Sequence, residues 1–265
     1  MKNVFVEGIQ GLGKSTLVNQ ISKLVPELRI CREGDYSPVD LAWCTWMTHE
    51  EYQEVLKKYE PLRNEIMKNT VREQDHYVTS YTRILTDIPH FHKDLEQHEI
   101  NNGRKPLQDF QKIIFSRYNN FKETGYVFEC AFFQNIIESL ILFYLLSDDE
   151  IVEFYGQLYR NVHQENFQLL YLYSEEIEKS IQEIKAQRSD YMGNELWYQL
   201  MLEYLKQSPY GKLHGYSGFQ DMVAHFHHRQ QLELRIIKEV IGDRAAILPA
   251  KQYSIEEDVY KRIIV

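Results

Sequence analysis

Residues 4–24 constrain this chain more than any other stretch. Val4, Phe5 and Val6 form a short apolar run, the pattern of a strand buried on both faces. Gly8-Ile9-Gln10-Gly11-Leu12-Gly13-Lys14-Ser15 follows and fits G-x-x-x-x-G-K-[ST]. Beyond it, Leu17, Val18, Ile21 and Leu24 recur at helical spacing. A glycine-rich turn between a strand and a helix start is the context in which this motif cradles phosphate. Gly8, Gly11 and Gly13 let the backbone turn tightly and aim N–H groups at anionic oxygens. Lys14 is placed to reach the β- and γ-phosphates of a nucleotide, and the Ser15 hydroxyl suits Mg²⁺. Thr16 reads two ways, as a further phosphate contact or as a helix-start residue.

The rest of the composition narrows the class. With 265 residues, 43% of them apolar and 13% aromatic, the chain can build one large α/β domain or two small ones. A formal net charge of −9, with no long basic stretch, argues against an extended nucleic-acid surface. A small anionic ligand needs only a few placed cations and backbone amides. Cys31, Cys44 and Cys130 lack C-x-x-C spacing and any disulfide framework, so a reducing, cytoplasmic setting is expected. A cleaved leader at the N-terminus would remove the first strand. The most apolar stretch, 136–146, is short and contains Glu138 and Ser139, so no membrane partner is expected. The sequence is compatible with a homodimer.

In chain order, further strands are expected over 28–32, 126–129, 167–173 and 245–249. Helical segments are expected over 49–69 and about 71–100, with Pro61 and Pro89 as breaks, then from Pro106 to about 122. Residues 132–146 are apolar nearly all round, the mark of a buried helix. Further helices follow to near His163 and over 175–187, 195–207, 218–240 and 255–264. Strands alternating with helices imply an α/β fold, a five-stranded parallel sheet with helices on both faces. Trp43, Trp46 and Met47 either line a pocket or pack as core. His225, His227 and His228 lack the i,i+4 pair of a helix zinc site and are expected at or near the surface.

Ligands in open parallel sheets bind outside the carboxyl ends of the strands. The glycine turn, Glu33, Glu129 and residues 249–252 all fall there. One carboxylate near a phosphate loop can hold Mg²⁺ and another can take a proton from an attacking hydroxyl. On the helix from Phe110, Arg117 shares an otherwise apolar face with Ile113, Ile114 and Phe121, so it either enters a polar cleft or snorkels to water. Gln111, Phe115 and Tyr118 share a neighbouring face, which could hold a flat ring or simply pack.

These stretches together resemble the deoxynucleoside kinases and, more broadly, the thymidylate-kinase-like P-loop kinases. Phe110-Gln111 resembles the family's Phe-Gln, whose glutamine reads the base. Phe128-Glu129-Cys130-Ala131 stands where the family has Glu-Arg-Ser or Asp-Arg-Ser. Leu170-Tyr171-Leu172, followed by a helix and Arg188, resembles the strand-four and lid region, and Leu202-Glu203-Tyr204-Leu205 the helix after the lid. The resemblance implies a single P-loop kinase domain over 1–265, with a helix-rich insertion at about 49–105 and a lid at about 185–195, binding Mg²⁺–ATP at Gly8 to Thr16 with the adenine near 249–252. It implies Glu33 as general base, Glu129 and Ser15 as Mg²⁺ supports, and Arg188 as the cation on the transferring phosphoryl group. Gln111 then contacts a small-molecule acceptor.

The departures shape the expectation. The family arginine after the third-strand carboxylate is Cys130 here, and Arg117 and Arg83 are candidate replacements. Glu33-Gly34-Asp35 replaces Glu-Pro, so Asp35 competes with Glu33 as base or substrate contact. Only Lys185 and Arg188 supply lid cations, and the 49–105 insertion has no family counterpart. The expected activity is transfer of the γ-phosphoryl group to a hydroxyl of a nucleoside-like molecule. Alternatives are a nucleoside monophosphate acceptor, another small hydroxylated acceptor such as an antibiotic, and an ATP-binding regulatory protein without transfer.

Lys14→Ala is therefore expected to abolish ATP-dependent phosphoryl transfer while leaving the far-ultraviolet circular dichroism unchanged. Near-normal turnover in that variant would refute the phosphate role of Lys14.

Overall fold

The computed structural model describes residues 1–264. The chain forms two compact units, Met1–Ile30 with the chain from Lys122 onward, and Cys31–Phe121. The first is α/β. Its sheet begins with β1 (Asn3–Glu7), all five residues of which are buried, followed by the helix α1 (Lys14–Leu24) and the short strand β2 (Arg29–Cys31).

The second unit is built differently. Helix α2 (His49–Lys58) starts in a capping box in which Thr48 and Glu51 satisfy each other's backbone amides. A 3₁₀ turn carries Pro61 in its first turn and leads into α3 (Arg63–Lys68). The helical segment expected over about 71–100, broken at Pro89, is largely absent. In its place β3 (Thr70–Glu73) and β4 (His76–Thr79) form an antiparallel hairpin, and only α4 (Phe91–Glu96) is helical. The reason is local. Thr70, Val71, Tyr77, Val78 and Thr79 favour a pleated surface, and Gln74 takes a left-handed φ of 51° in the two-residue turn. The Thr70 and Thr79 hydroxyls share a hydrogen bond across the strands at 2.8 Å.

Helix α5 (Leu107–Asn120) ends the second unit. Met47 lies in its core with Tyr52, Leu56, Tyr59 and Phe91, whereas Trp46 stacks on His76 and Trp43 is exposed. Arg117 does not snorkel to water. It is buried, paired with Glu73, donates to the Val39 carbonyl at 3.3 Å and to that of Ser37, and rests over the Trp46 ring.

The chain then returns to the first unit. It forms β5 (Tyr126–Glu129), α6 (Gln134–Glu138) continued by a π-helical turn over Ser139–Phe143, α7 (Asp148–Arg160) and β6 (Phe167–Tyr173). There follow α8 (Ile177–Gln187), α9 (Leu196–Gln207), α10 (Pro209–His214) and α11 (Phe219–Ile236), then β7 (Ala245–Pro249) and α12 (Lys261–Ile264). The helix α10 is unexpected from sequence. Ser208 caps it and Pro209 starts it, because the ring already has a helical φ and lacks an N–H that needs a partner.

The five-stranded parallel sheet has the order β2-β5-β1-β6-β7, flanked by helices. Val6 is in register with Glu129 on one side and Leu170 on the other. Phe5 stacks between Phe128 and Phe167, each 4.8 Å away, and ties the three central strands together through aromatic packing. No helix among the described residues is long and apolar enough to cross a membrane.

Removing a buried guanidinium leaves its carboxylate and carbonyl partners unsatisfied, at about 3 kcal/mol. Arg117→Ala is accordingly expected to lower the melting temperature and to speed proteolysis within residues 31–121. An unchanged melting temperature would show that Arg117 does not hold the second unit together.

Candidate functional site

The site in the first unit begins where β1 ends. Gly8, Gly11 and Gly13 have φ of 135°, 86° and 93°, a region that side chains with a Cβ rarely occupy. At Gly8 a Cβ would stand 2.5 Å from the Leu172 carbonyl oxygen, so β6 itself dictates glycine there. Gly13 differs, because a Cβ there would meet nothing within 4 Å. It precedes α1, which has no side-chain cap and no acidic residue in its first turn. Such a helix start offers backbone N–H groups and its positive dipole end to an anion.

Lys14 is buried at the start of α1. Its ammonium donates to the Gly8 carbonyl at 2.7 Å and to that of Ile9 at 3.0 Å. Ser15 and Thr16 are exposed beside it. The Ser15 hydroxyl donates to Glu129 Oε1 at the end of β5. A hydroxyl and a carboxylate brought together beside an anion cradle are the hard oxygen donors a Mg²⁺ ion takes, so these residues fit the ion. Residues 249–252 close a tight turn after β7, where the Gln252 amide donates to the Pro249 carbonyl.

Residues 185–195 are only partly a loop. Lys185 belongs to α8, pairs with Glu195 at 3.0 Å and lies over the Tyr198 ring. Arg188 ends that helix, with its guanidinium 5.5 Å from the Trp197 ring centre. The Asp190 carboxylate accepts from Met192 N, Asn194 N and Asn194 Nδ2, folding the segment into a turn.

The second unit holds the other expected residues. Glu33 is exposed and accepts from the Trp43 indole at 3.1 Å. Asp35 accepts from the Arg32 amide and pairs with Arg83, both at 3.1 Å. Gln111 and Phe115 are half-buried on α5, whereas Tyr118 is core, which settles its part of that face as packing.

A buried polar chain behind the glycine loop is absent from the sequence reading. His225, expected near the surface, is fully buried and bonds Glu138 Oε2 through Nε2 at 2.8 Å. Arg229 Nη1 donates to Glu138 Oε1 at 2.5 Å, and its Nε lies 3.0 Å from Glu233 Oε1. The Tyr171 hydroxyl donates to Glu233 Oε2 at 2.6 Å. Spacing held a partial signal: 225, 229 and 233 repeat every four residues on the side of α11 that buries Met222, Phe226 and Ile236.

Glu7, at the end of β1, accepts from the Phe132 amide at 2.6 Å and the Gln134 amide at 3.3 Å. Burial pushes its carboxyl up to about 8, with the Glu233 charge adding to the rise against the Phe132 and Phe133 amides and Lys14. Burial also acts to raise Glu138, but the charges of His225 and Arg229 outweigh it and hold that carboxyl down at about 2. No protein-family model matches the chain, and no curated protein matches it.

The Glu7 shift fixes the sign of a pH effect. Between the ordinary carboxyl value of 4.5 and about 8, the folded state keeps a proton that the unfolded chain has released. The stability contributed by Glu7 therefore falls as pH rises through that window. Glu7→Gln, a neutral analogue, is expected to gain melting temperature relative to wild type between pH 5 and pH 8, by about 5 °C or more. Thermal melts across that range check it, and a difference that stays flat would refute it.

Proposed function

We propose that the chain is a Mg²⁺–ATP-dependent kinase, akin to the deoxynucleoside and thymidylate-kinase-like P-loop kinases. Its acceptor is a hydroxyl of a nucleoside-like molecule. The observation that carries this reading is the β1–α1 junction. Three glycines with left-handed φ precede an uncapped helix start, Lys14 lies within the turn, and Ser15 meets Glu129 beside it. Loop amides and Lys14 bind the triphosphate, with Thr16 adding a hydroxyl, and Ser15 with Glu129 holds the cation. Mg²⁺–ATP supplies the electrophilic phosphoryl group and shields its charge. Arg188 provides a cation for charge that develops during transfer.

Glu33 in the second unit is the proposed base. Asp35 is the weaker candidate because its oxygens close the 32–35 turn and hold Arg83. Gln111 is the proposed contact to a planar acceptor. Paired charges favour a hydroxyl over a monophosphate. A phosphate dianion needs cations, yet Arg83 and Arg117 each already face a carboxylate, and Cys130 stands where the resembled kinases carry arginine. A hydroxyl needs a positioned base instead, which contributes about 10²–10⁴-fold.

An acceptor panel of nucleosides, nucleoside monophosphates and other small alcohols tests this, read as acceptor-dependent ADP release. Glu33→Gln is expected to keep ATP binding and lose about 10²–10⁴ in kcat on a nucleoside, with Asp35→Asn losing less. Preferred use of a monophosphate by a nearly fully active Glu33→Gln would overturn the acceptor assignment. ADP release that ignores every acceptor would point to a nucleotide-hydrolysing regulator.

A further inference from the structure

The Gly8 carbonyl has two cationic donors. Lys14 Nζ reaches it at 2.7 Å from within the loop, and Arg229 Nη2 reaches it at 3.3 Å from α11. Gly8 is buried, and its peptide is pressed against β6 by the close approach to Leu172. It has little freedom to turn its oxygen toward another donor. A buried carbonyl that loses its only partner is penalised, whereas one that keeps a partner is not.

Nucleotide binding, as proposed above, asks Lys14 to exchange these carbonyls for phosphate oxygens. The ammonium gains a strong partner and the Gly8 oxygen loses one. We infer that Arg229 is a positioning residue for Lys14: it keeps the Gly8 carbonyl hydrogen-bonded when the Lys14 ammonium turns from the Gly8 and Ile9 carbonyls to a bound phosphate, so that release at Gly8 costs little. The inference rests on the nucleotide-binding reading of the loop.

The surroundings of Arg229 are built to hold that one donor in place. A guanidinium is a planar fork of five donors, so Nη1 and Nη2 can bond Glu138 and the Gly8 carbonyl together while the charge faces Glu233, 3.0 Å from Nε. Each carboxylate is fixed in turn through its other oxygen, Glu138 by His225 and Glu233 by Tyr171. Arg229, His225 and Glu233 are fully buried. Such a network is poor value as plain stabilisation, since well-packed apolar residues generally do as well. Its geometry is explained if the fork must present Nη2 to Gly8. A lysine at 229 keeps a positive charge between the two carboxylates but has no planar fork to serve all three partners.

The relay has a signature that a purely structural role lacks. With Lys14 present, loss of the Arg229 donor leaves Gly8 satisfied in the free protein and bare in the complex, so binding weakens. With Lys14 removed, the Gly8 oxygen has the same partners free and bound. Loss of Arg229 then alters stability and leaves affinity unchanged.

The test is a double-mutant cycle of Lys14→Ala and Arg229→Lys, with the affinity for Mg²⁺–ADP and for Mg²⁺–ATP measured by calorimetry and the melting temperature recorded for each protein. Arg229→Lys alone is expected to weaken both nucleotides about tenfold, within the roughly 5–150-fold that one unsatisfied buried group is worth. In the Lys14→Ala background it is expected to change affinity less than about twofold, the limit of additivity for independent sites. Equal losses in both backgrounds, or no loss in either, would overturn the relay. Should Arg229→Lys not fold, Glu138→Gln with Arg229→Gln replaces the ion pair by neutral amides, and the same cycle is read with that pair. Failure of the wild type itself to bind either nucleotide would overturn the phosphate-loop reading, a result separable from an additive cycle in a protein that binds.

Discussion

Much of the first unit depends on one close approach, that of Gly8 to the Leu172 carbonyl of β6. A strand buried on both faces in a parallel sheet must leave the sheet at its carboxyl end, and here it leaves with no room for a side chain. The positive φ at Gly8 belongs to that exit, and Gly11 and Gly13 continue the turn with positive φ of their own. So does the start of α1 beside the end of β5, where Ser15 and Glu129 meet. The register of Val6 with Glu129 sets the end of β5 beside the end of β1, and the glycine turn brings Ser15 to it.

Beneath the loop, burial and charge act in opposite directions on neighbouring carboxylates. Glu138 faces a guanidinium and an imidazole and is held in its charged form. Glu7 accepts from the Phe132 and Gln134 backbone amides and is pushed toward its neutral form by burial. Glu233 lies between these cases, raised by burial and partly offset by Arg229 and the Tyr171 hydroxyl. Few charges are therefore left uncompensated in a region from which water is excluded.

The second unit uses its arginines within its own architecture. Arg117 ties the hairpin strand β3 to the 37–39 segment, and Arg83 ties the 32–35 turn to the segment after β4. Cations committed in this way favour a neutral acceptor under the kinase reading. The same unit has an apolar core built on short helices and a two-stranded hairpin.

The sequence by itself determined what neighbours along the chain decide. The strand–glycine turn–helix start is legible because its residue types and spacing have few other uses. Strands 126–129 and 167–173 match the structure because buried parallel strands read as short apolar runs, and 245–249 matches as an apolar edge strand that alternates buried and exposed residues. The 70–79 hairpin was read as helix, since its alternation is short and the flanking segments suggested a helix. Tertiary structure decided the rest. Arg117 has an apolar helix face in sequence, and only folding brings Glu73 to it, 44 residues away. His225 and Arg229 find Glu138 and Gly8 at separations of 87 and 221 residues. No local pattern encodes a pairing over such distances, because what selects it is the desolvation of a charge in a core that exists only once the sheet has formed.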